Sequence, residues 1–170
     1  AGYGLFMNQA SSNKTTINGN ITTTGDNAPG LDFFGFNTSN TTTLNGNIRT
    51  SGNAARGLWI QGSDQNTTKI TGNIRTSGIS SHGVEIAKLS DKDSINNTTT
   101  ITGNIRTSGV TSYGLYNNLT NSNTTNIVGD ITTSEDAADG IRISSSDSNT
   151  TNITANITTT GVNSYGLQPE

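Results

Sequence analysis

A repeat of about 26 residues runs through this 170-residue chain and limits its fold more than any other feature. Two apolar anchors four residues apart recur at intervals of 27, 26, 31, 26 and 26 residues. The first anchors are Ile17, Leu44, Ile70, Ile101, Ile127 and Ile153, and the second are Ile21, Ile48, Ile74, Ile105, Ile131 and Ile157. A fixed period of this length is typical of solenoid proteins, in which each repeat packs on its neighbours.

Length changes are confined to one part of the repeat. A glycine followed by a branched apolar residue closes each copy, and the segment from there to the next anchor is one residue longer after Leu31. After Val84 it is five residues longer, and the excess holds residues 88–93. Because surface turns accept insertions at small entropic cost and packed stretches do not, this pattern predicts one exposed corner per repeat.

Within each copy, apolar and small residues alternate with polar ones at a period of two, which predicts strands. Consecutive copies run in the same direction, so their strands pair between copies, in parallel and about 4.8 Å apart. The sequence therefore predicts an all-β fold, a single-stranded right-handed parallel β-solenoid (β-helix) of about six rungs. It forms one domain over residues 1–170, with rungs starting near Thr15, Thr42, Thr68, Thr99, Thr125 and Thr151.

Composition makes stacked side chains necessary to this fold. Thr, Asn, Ser and Gly number 31, 24, 19 and 20, while Leu, Ile, Val and Phe together number only 33. Apolar burial alone is then too small, so we expect ladders of identical side chains to stabilise the rungs. The predicted ladders include Ile17, Ile48, Ile74, Ile105, Ile131 and Ile157, then Asn47, Asn73 and Asn104, and Gly57, Gly83 and Gly114.

Two further columns complete this expectation. Threonine recurs two residues before each first anchor and two residues after each second anchor, as at Thr99 and Thr107, and we expect both columns to stack. Gly103 and its equivalents lie between the anchors, where we expect a minimal side chain to leave room in the interior. Asn-x-Thr sequences such as Asn66-Thr67-Thr68 are expected by chance in so Asn- and Thr-rich a chain and are not interpreted as glycosylation sites.

The charge and residue inventory excludes several classes. The chain has no Cys, one His and a net charge of −3, which predicts no thiolate metal site, no cofactor and no nucleic-acid partner. No apolar run approaches the roughly 18 residues of a membrane span, so we expect no direct membrane insertion in this segment. No copy carries a distinctive nucleophile beside the single His82, and the sequence predicts that the protein is not an enzyme.

Three groups of residues are candidate binding sites. Arg49, Arg75 and Arg106 form one outward column, which is either a solvated charged strip or a grip for an anionic glycan or phosphate. The aromatic residues Trp59, Tyr113 and Tyr116 are candidates for exposed ligand contacts, or else pack under turns. Asp91 and Asp93 in the inserted turn are either Ca²⁺ ligands or part of a plain solvated loop.

The repeat unit NTTTITGNIRTSGVTSYGL and its five relatives resemble the passenger repeats of bacterial autotransporter proteins and related β-helical adhesins. The resemblance implies export to the bacterial cell surface or the surroundings, with a stalk or adhesive role. It also implies a host-cell or matrix glycan or protein as partner.

Two alternatives remain open. The chain begins AGYGL and ends NSYGLQPE at the same phase of the repeat, which predicts a longer array or the head-to-tail stacking of a filament subunit. The other alternative to the stalk or adhesin is a glycan-binding or polysaccharide-processing β-helix. Ice binding is disfavoured because Arg49, Arg75 and Arg106 interrupt the threonine surface.

Overall fold

The computed structural model describes residues 2–169, which form a β-solenoid of nineteen strands in three parallel sheets and contain no helix. The first sheet contains β1 (Leu5–Asn8), β4 (Leu31–Phe34), β7 (Leu58–Gln61), β10 (Val84–Ala87), β13 (Leu115–Asn118), β16 (Ile141–Ser144) and β19 (Leu167–Pro169). The second contains β2 (Lys14–Asn18), β5 (Thr41–Asn45), β8 (Thr67–Thr71), β11 (Thr98–Thr102), β14 (Thr124–Val128) and β17 (Thr150–Thr154). The third contains β3 (Ile21–Thr23), β6 (Ile48–Thr50), β9 (Ile74–Thr76), β12 (Ile105–Thr107), β15 (Ile131–Thr133) and β18 (Ile157–Thr159).

The register between neighbouring strands is the one that the repeat predicts. Ile101 pairs with Ile70 on one side and with Ile127 on the other, and the third sheet pairs Ile105 with its equivalents in the same way. The predicted β-solenoid of about six turns with a spacing of about 26 residues is therefore confirmed. We number the rungs 1 to 6, each consisting of one strand of the second sheet, one of the third and one of the first, starting from β2, β3 and β4.

The interior is a continuous apolar core along the axis. Both anchors of rungs 2 to 5 are buried, and they face the alternate residues of the first sheet, such as Leu58 and Ile60. Ile17 and Ile157, in the terminal rungs, are half-buried. The predicted isoleucine ladder is present from Ile48 to Ile157, but Ile21 pairs with Ile48 at its start, whereas Ile17 pairs with Leu44 in the second sheet.

The glycines that close each copy are required by the core. A Cβ on Gly83 would lie 2.4 Å from Cγ2 of Ile105 and 2.6 Å from the carbonyl oxygen of Gly114, both in the next rung. Gly57 and Gly114 show the same contacts with their own neighbours. Because no side chain fits there, the second anchor of the next rung can fill the corner.

The role predicted for the Gly103 column is wrong. Gly103 lies at the corner between β11 and β12, with φ of +147°, and a Cβ would lie 2.2 Å from the carbonyl oxygen of Gly72. The need to leave room in the interior is therefore not the reason why this position requires glycine. Glycine is needed for the positive φ and for the close approach of the backbone one rung away.

The two threonine columns do not form hydrogen-bonded ladders between rungs. Thr50 Oγ1 donates to the carbonyl oxygen of Ala55 at 2.6 Å within its own rung, and the equivalent threonines do likewise. The hydroxyls of Thr42, Thr68, Thr99, Thr125 and Thr151 are buried without a hydrogen-bond partner in the described part of the chain. The column of Thr50 therefore closes a corner within each rung, and the column of Thr99 contributes only its packing.

The predicted asparagine ladder is present on the surface. Oδ1 of Asn47 accepts a hydrogen bond from the backbone N–H of Asn73 at 2.8 Å, and Oδ1 of Asn73 accepts one from Asn104 at 2.8 Å. Asp130 continues the ladder, because its carboxylate oxygen accepts from Asn156 at 3.0 Å. Only an acceptor oxygen is needed at this position, so Asp replaces Asn without loss of the bond.

A second asparagine ladder was missed from the sequence, and its four central members are buried while Asn13 at one end is exposed. Its members are Asn13, Asn40, Asn66, Asn97, Asn123 and Asn149. Nδ2 of Asn97 donates to the carbonyl oxygen of Ser63 at 2.6 Å and to Oδ1 of Asn123 at 3.0 Å. Asn97 Oδ1 in turn accepts from the backbone and side-chain N–H groups of Asn66. The signal was an Asn exactly four residues before every first anchor, so these Asn-x-Thr sequences do not arise by chance.

Candidate functional site

The outer face of the first sheet carries large charged and aromatic side chains where the rest of the solenoid surface carries mainly Thr and Asn. We call it the polar–aromatic face; its residues are Asp32, Arg56, Trp59, Gln61, His82, Glu85, Tyr113, Tyr116 and Arg142. Those on strands occupy outward positions of β4, β7, β10, β13 and β16, and the others lie one residue before a closing glycine. Parallel stacking at about 4.8 Å per rung brings them into contact.

Arg56 and Glu85 form the central ion pair of this face. Arg56 Nε donates to Glu85 Oε2 at 2.6 Å, and the guanidinium carbon lies 4.2 Å from the ring centroid of Trp59. Burial raises the pKa of Glu85, while the neighbouring guanidinium opposes this rise. Glu85 is only 6% exposed, so water screens the pair little.

His82 is held as a neutral ring against Tyr113 of the next rung. It stacks on Tyr113 with centroids 4.7 Å apart and an interplanar angle of 6°, and its Nδ1 accepts the backbone N–H of Tyr113 at 3.0 Å. Burial, with Arg56 and Arg142 nearby, lowers the pKa of His82 to about 3. The ring proton therefore lies on Nε2, which is 4.0 Å from Glu85 Oε2.

The network continues into rung 5. Arg142 Nη1 donates to the hydroxyl of Tyr113 at 2.9 Å, and its guanidinium carbon lies 5.2 Å from the centroid of the same ring. Arg142 also lies 3.8 Å from the carboxylate of Asp139. The ion pair of Arg56 with Glu85, the stacking of His82 on Tyr113 and the contact of Arg142 with Tyr113 therefore join rungs 2 to 5 in succession.

Asp32 is the most deeply buried carboxyl group of the face. It pairs in register with Phe6 on one side and with Trp59 on the other, and it is 1% exposed. Burial raises the pKa of Asp32 to about 6, against the hydrogen bond from Gln61 Nε2 at 3.2 Å. Arg56 also opposes the rise and Glu85 adds to it.

An exposed aromatic group adjoins this network at the rung 1 end. The rings of Tyr3 and Phe6 stack with centroids 4.7 Å apart, and those of Phe6 and Phe34 lie 6.2 Å apart. Phe36 follows at the corner and is 59% exposed. We call Tyr3, Phe6, Phe34 and Phe36 the aromatic ridge.

The aromatic residues predicted from the sequence are not fully exposed. Trp59, Tyr113 and Tyr116 are half-buried, because Arg56 covers Trp59 and the His82 ring packs against both tyrosines. The expectation of exposed aromatics at these three positions is therefore corrected, and exposure is found instead on the aromatic ridge.

The predicted arginine strip is assembled as expected. Arg75 pairs in register with Arg49 and with Arg106, and all three side chains are exposed. None of the three forms an ion pair with a carboxylate of residues 2–169. The strip therefore presents three unneutralised charges to solvent, which fits both of its interpretations.

Sequence reasoning missed Arg56, His82, Glu85 and Asp32 as a group. The available signal was the variation at two positions flanking the closing glycine, one residue before it (Arg56, His82) and two residues after it (Asp32, Glu85), where the side chain changes in type from rung to rung. Their contacts depend on whether each side chain points toward the preceding or the following rung. The alternation of apolar and polar residues predicts only whether a side chain faces inward or outward.

The arrangement suits a rigid surface better than a reaction centre. Asp32, Glu85 and His82 are nearly inaccessible, and Nδ1 of His82 is already used by a backbone N–H. In the inserted turn, Asp93 lies 3.2 Å from Lys88, and within residues 2–169 no three His, Asp or Glu side chains are grouped closely enough to hold a metal ion. The described chain also contains no helix that is long and apolar enough to cross a membrane.

Comparisons with known proteins were made for the whole chain. No family model matches it, and no curated protein and no solved structure matches it significantly. The likeness to autotransporter passenger repeats therefore stays a prediction from the repeat motif.

Proposed function

We propose that this chain is a non-catalytic structural and adhesive β-solenoid of a secreted or surface-bound bacterial protein. The observation that carries the proposal is a contrast between the faces of the rod. Asparagine ladders and paired strands repeat along the axis, whereas the outer face of the first sheet carries large, varied and mutually packed side chains. A repetitive rod with one varied face is an economical way to display a binding surface.

The packing of that face supports a binding role. Its charges are held by the ion pair of Arg56 with Glu85 and by the contacts of Arg142, and its rings are fixed by stacking. A surface that is already ordered loses little conformational entropy when a partner binds. The face therefore suits attachment, in which affinity depends on a preformed surface.

Adhesion of coated beads tests the proposal. Polystyrene beads carrying the purified 170-residue chain are applied to epithelial monolayers and to immobilised collagen and fibronectin, beside albumin-coated beads. We expect the chain-coated beads to adhere to at least one surface under flow, several-fold above albumin. Adhesion equal to that of albumin on every surface would contradict an adhesive role.

The polysaccharide-processing alternative predicts a different result. It requires an accessible acid and base, and the two central carboxyl groups, Asp32 and Glu85, are buried under their neighbours. We expect no release of reducing ends when the chain is incubated with pectin, xylan or chitin. Sustained release that is lost in a Glu85→Gln variant would favour the enzyme.

A second candidate function is a filament subunit. At the rung 6 end, Ile143 of rung 5 and the inward residues Ile153 and Leu167 of rung 6 line an open cavity of about 500 Å³, which either a stacked copy or a further rung would cover. Electron micrographs over a concentration series distinguish a chain that stacks end to end from one that stays monomeric. Fibres with an axial repeat of about 4.8 Å would favour the filament, and a monomer at high concentration would oppose it.

A further inference from the structure

Two irregularities of the repeat lie on the same corner of the solenoid. Between the paired positions Phe34 and Thr38, rung 1 has three residues, whereas rung 2 has two between Gln61 and Asp64. The additional residue allows Gly35 and Phe36 to form an outward bend, and Phe36 projects into solvent. The single-residue insertion in the sequence therefore produces the most exposed aromatic ring of the ridge.

The second irregularity, residues 88–93 of rung 3, folds back toward rung 1. Leu89 and Lys92 exchange two backbone hydrogen bonds of 2.9 Å, which close the inserted loop. Lys92 forms an ion pair with Asp64 of rung 2, and Leu89 covers Gly62, where a Cβ would lie 2.8 Å from the Cβ of Leu89. The loop is therefore anchored across rung 2 and reaches the bend at Phe36.

A pocket of about 440 Å³ lies where the two irregularities meet. It is lined by Phe36 and Leu89 on its apolar side and by Ser90, Asp91 and Lys92 on its polar side. Its volume is within the range of small-ligand sites, which combine apolar walls with a few polar groups. Phe34 lies two residues before Phe36 in the same turn, and ring contacts lead from Phe34 to Phe6 and on to Tyr3.

The chemistry of this surface indicates what it binds. The exposed rings of two adjacent turns, those of β1 and β4, offer flat apolar faces, and a sugar ring has a matching face of C–H groups with hydroxyls at its edge. Asp91 and Ser90 supply oxygen acceptors for hydroxyls at the pocket. Lys92 is already paired with Asp64, so the site has no free cation in its lining to attract an anionic polymer.

We propose that this pocket, continued by the aromatic ridge, binds a neutral glycan, with one sugar stacked on Phe36 and the chain running toward Tyr3. The inference rests on the proposed adhesive function and names its ligand class and its site. The pocket exists only because the insertion after Val84 and the additional residue after Leu31 meet in space.

Binding of the purified chain to a printed glycan array tests the proposal. The array holds neutral oligosaccharides of glucose, mannose, galactose and N-acetylglucosamine, with heparin fragments as the anionic comparison, and neutral ligands that bind are then titrated by calorimetry. We expect binding to neutral glycans and a loss of about tenfold in affinity for Phe36→Ala. Val162→Ala, which truncates an equally exposed side chain on another corner, should bind like the parent.

The variants also separate this site from the arginine strip. Since Phe36 is exposed, Phe36→Ala should keep the parent's melting temperature, so its loss of binding cannot be ascribed to unfolding. Binding to heparin alone, abolished by changing Arg49, Arg75 and Arg106 to Gln, would overturn the proposal. So would neutral-glycan binding that Phe36→Ala leaves unchanged.

Failure of this inference differs from failure of the adhesive function. If coated beads adhere and Phe36→Ala beads adhere equally well, the glycan site is overturned while adhesion stands. If parent beads adhere nowhere, the adhesive function itself is contradicted.

Discussion

At the scale of the residue, the same amino acid does two different tasks in this solenoid. Surface asparagines such as Asn73 use one oxygen to accept a backbone N–H. Buried asparagines such as Asn97 use the whole amide, because Nδ2 donates twice and Oδ1 accepts twice. Only the buried position, where Nδ2 must donate, therefore distinguishes an amide from a carboxylate.

Replacing Asn by Asp at the two positions should therefore have very different effects. Asn97→Asp places a carboxylate against the oxygens of Ser63 and Asn123 in a fully buried site, and we expect it to lose at least about 3 kcal/mol in the free energy of unfolding. Asn73→Asp keeps its acceptor oxygen in solvent, as Asp130 does, and should lose under about 1 kcal/mol. Urea unfolding of both variants measures the difference. Equal losses would contradict the buried ladder.

Asp32 should make stability depend on pH. Its pKa is raised from 3.8 to about 6 in the folded chain, so the folded state binds the proton more tightly than the unfolded state. Its contribution is fully present below about pH 4 and is lost as the pH rises through about 6. Asp32→Asn, which still accepts from Gln61, should therefore gain about 2 to 3 kcal/mol relative to the parent between pH 4 and pH 7.5.

The control for Asp32 is Asp26→Asn. Asp26 is exposed, and its oxygen accepts the backbone N–H of Asn53 at 2.8 Å, a bond that Asn also makes. The pKa of His82 is lowered to about 3, so His82 opposes stability as the pH falls from 6.5, but this effect cancels between parent and variant. Chemical unfolding at four pH values measures both differences. Parallel curves for Asp32→Asn and Asp26→Asn would refute the assignment to Asp32.

At the scale of the element, strands were easier to predict from the sequence than corners. Alternation around anchors such as Ile101 and Ile105 located the strands, their parallel pairing and their inward faces, because each of these follows from period and direction. Corners depend on φ angles and on backbone contacts with the next rung, as at Gly103. The polar–aromatic face was equally out of reach, because contacts such as Arg56 with Glu85 join residues 29 apart that lean between rungs.

Two corner glycines with the same φ separate strain from contact between rungs. Gly19 has φ of +148° and Gly103 has +147°, but a Cβ meets nothing within 4 Å at Gly19 and lies 2.2 Å from the carbonyl oxygen of Gly72 at Gly103. Gly19→Ala should cost the strain alone, about 1 to 3 kcal/mol. Gly103→Ala should cost at least about 1 kcal/mol more, since the neighbouring backbone must move. Thermal unfolding of the two variants measures both losses of stability. Equal losses would show that the contact with the neighbouring rung does not contribute to the requirement for glycine.

At the scale of the whole molecule, stability arises between rungs. The strands within one rung belong to three different sheets, so the ladder hydrogen bonds of each strand go to the rungs before and after it. The free energy of folding is then approximately a sum over neighbouring pairs of rungs, and it is absent from a single one. Modest apolar content suffices because each core residue is covered from two sides along the axis.

Shortened chains measure this dependence. A peptide of residues 67–97, one rung long, should be unfolded by circular dichroism. Residues 41–149, which hold four rungs, should unfold cooperatively with a lower midpoint than the full chain. A folded single rung would contradict the claim that stability resides between neighbours.

The two asparagine ladders also have a consequence for the electrical character of the rod. In the buried ladder each N–H points toward the following rung, as from Asn66 to Asn97, whereas in the surface ladder it points toward the preceding one, as from Asn104 to Asn73. The dipoles of the two rows are thus antiparallel and largely cancel. The ladders therefore add little axial field, and any electrical difference between the two ends of the solenoid arises from its charged side chains, such as Asp130, Glu135 and Asp136 near the rung 6 end.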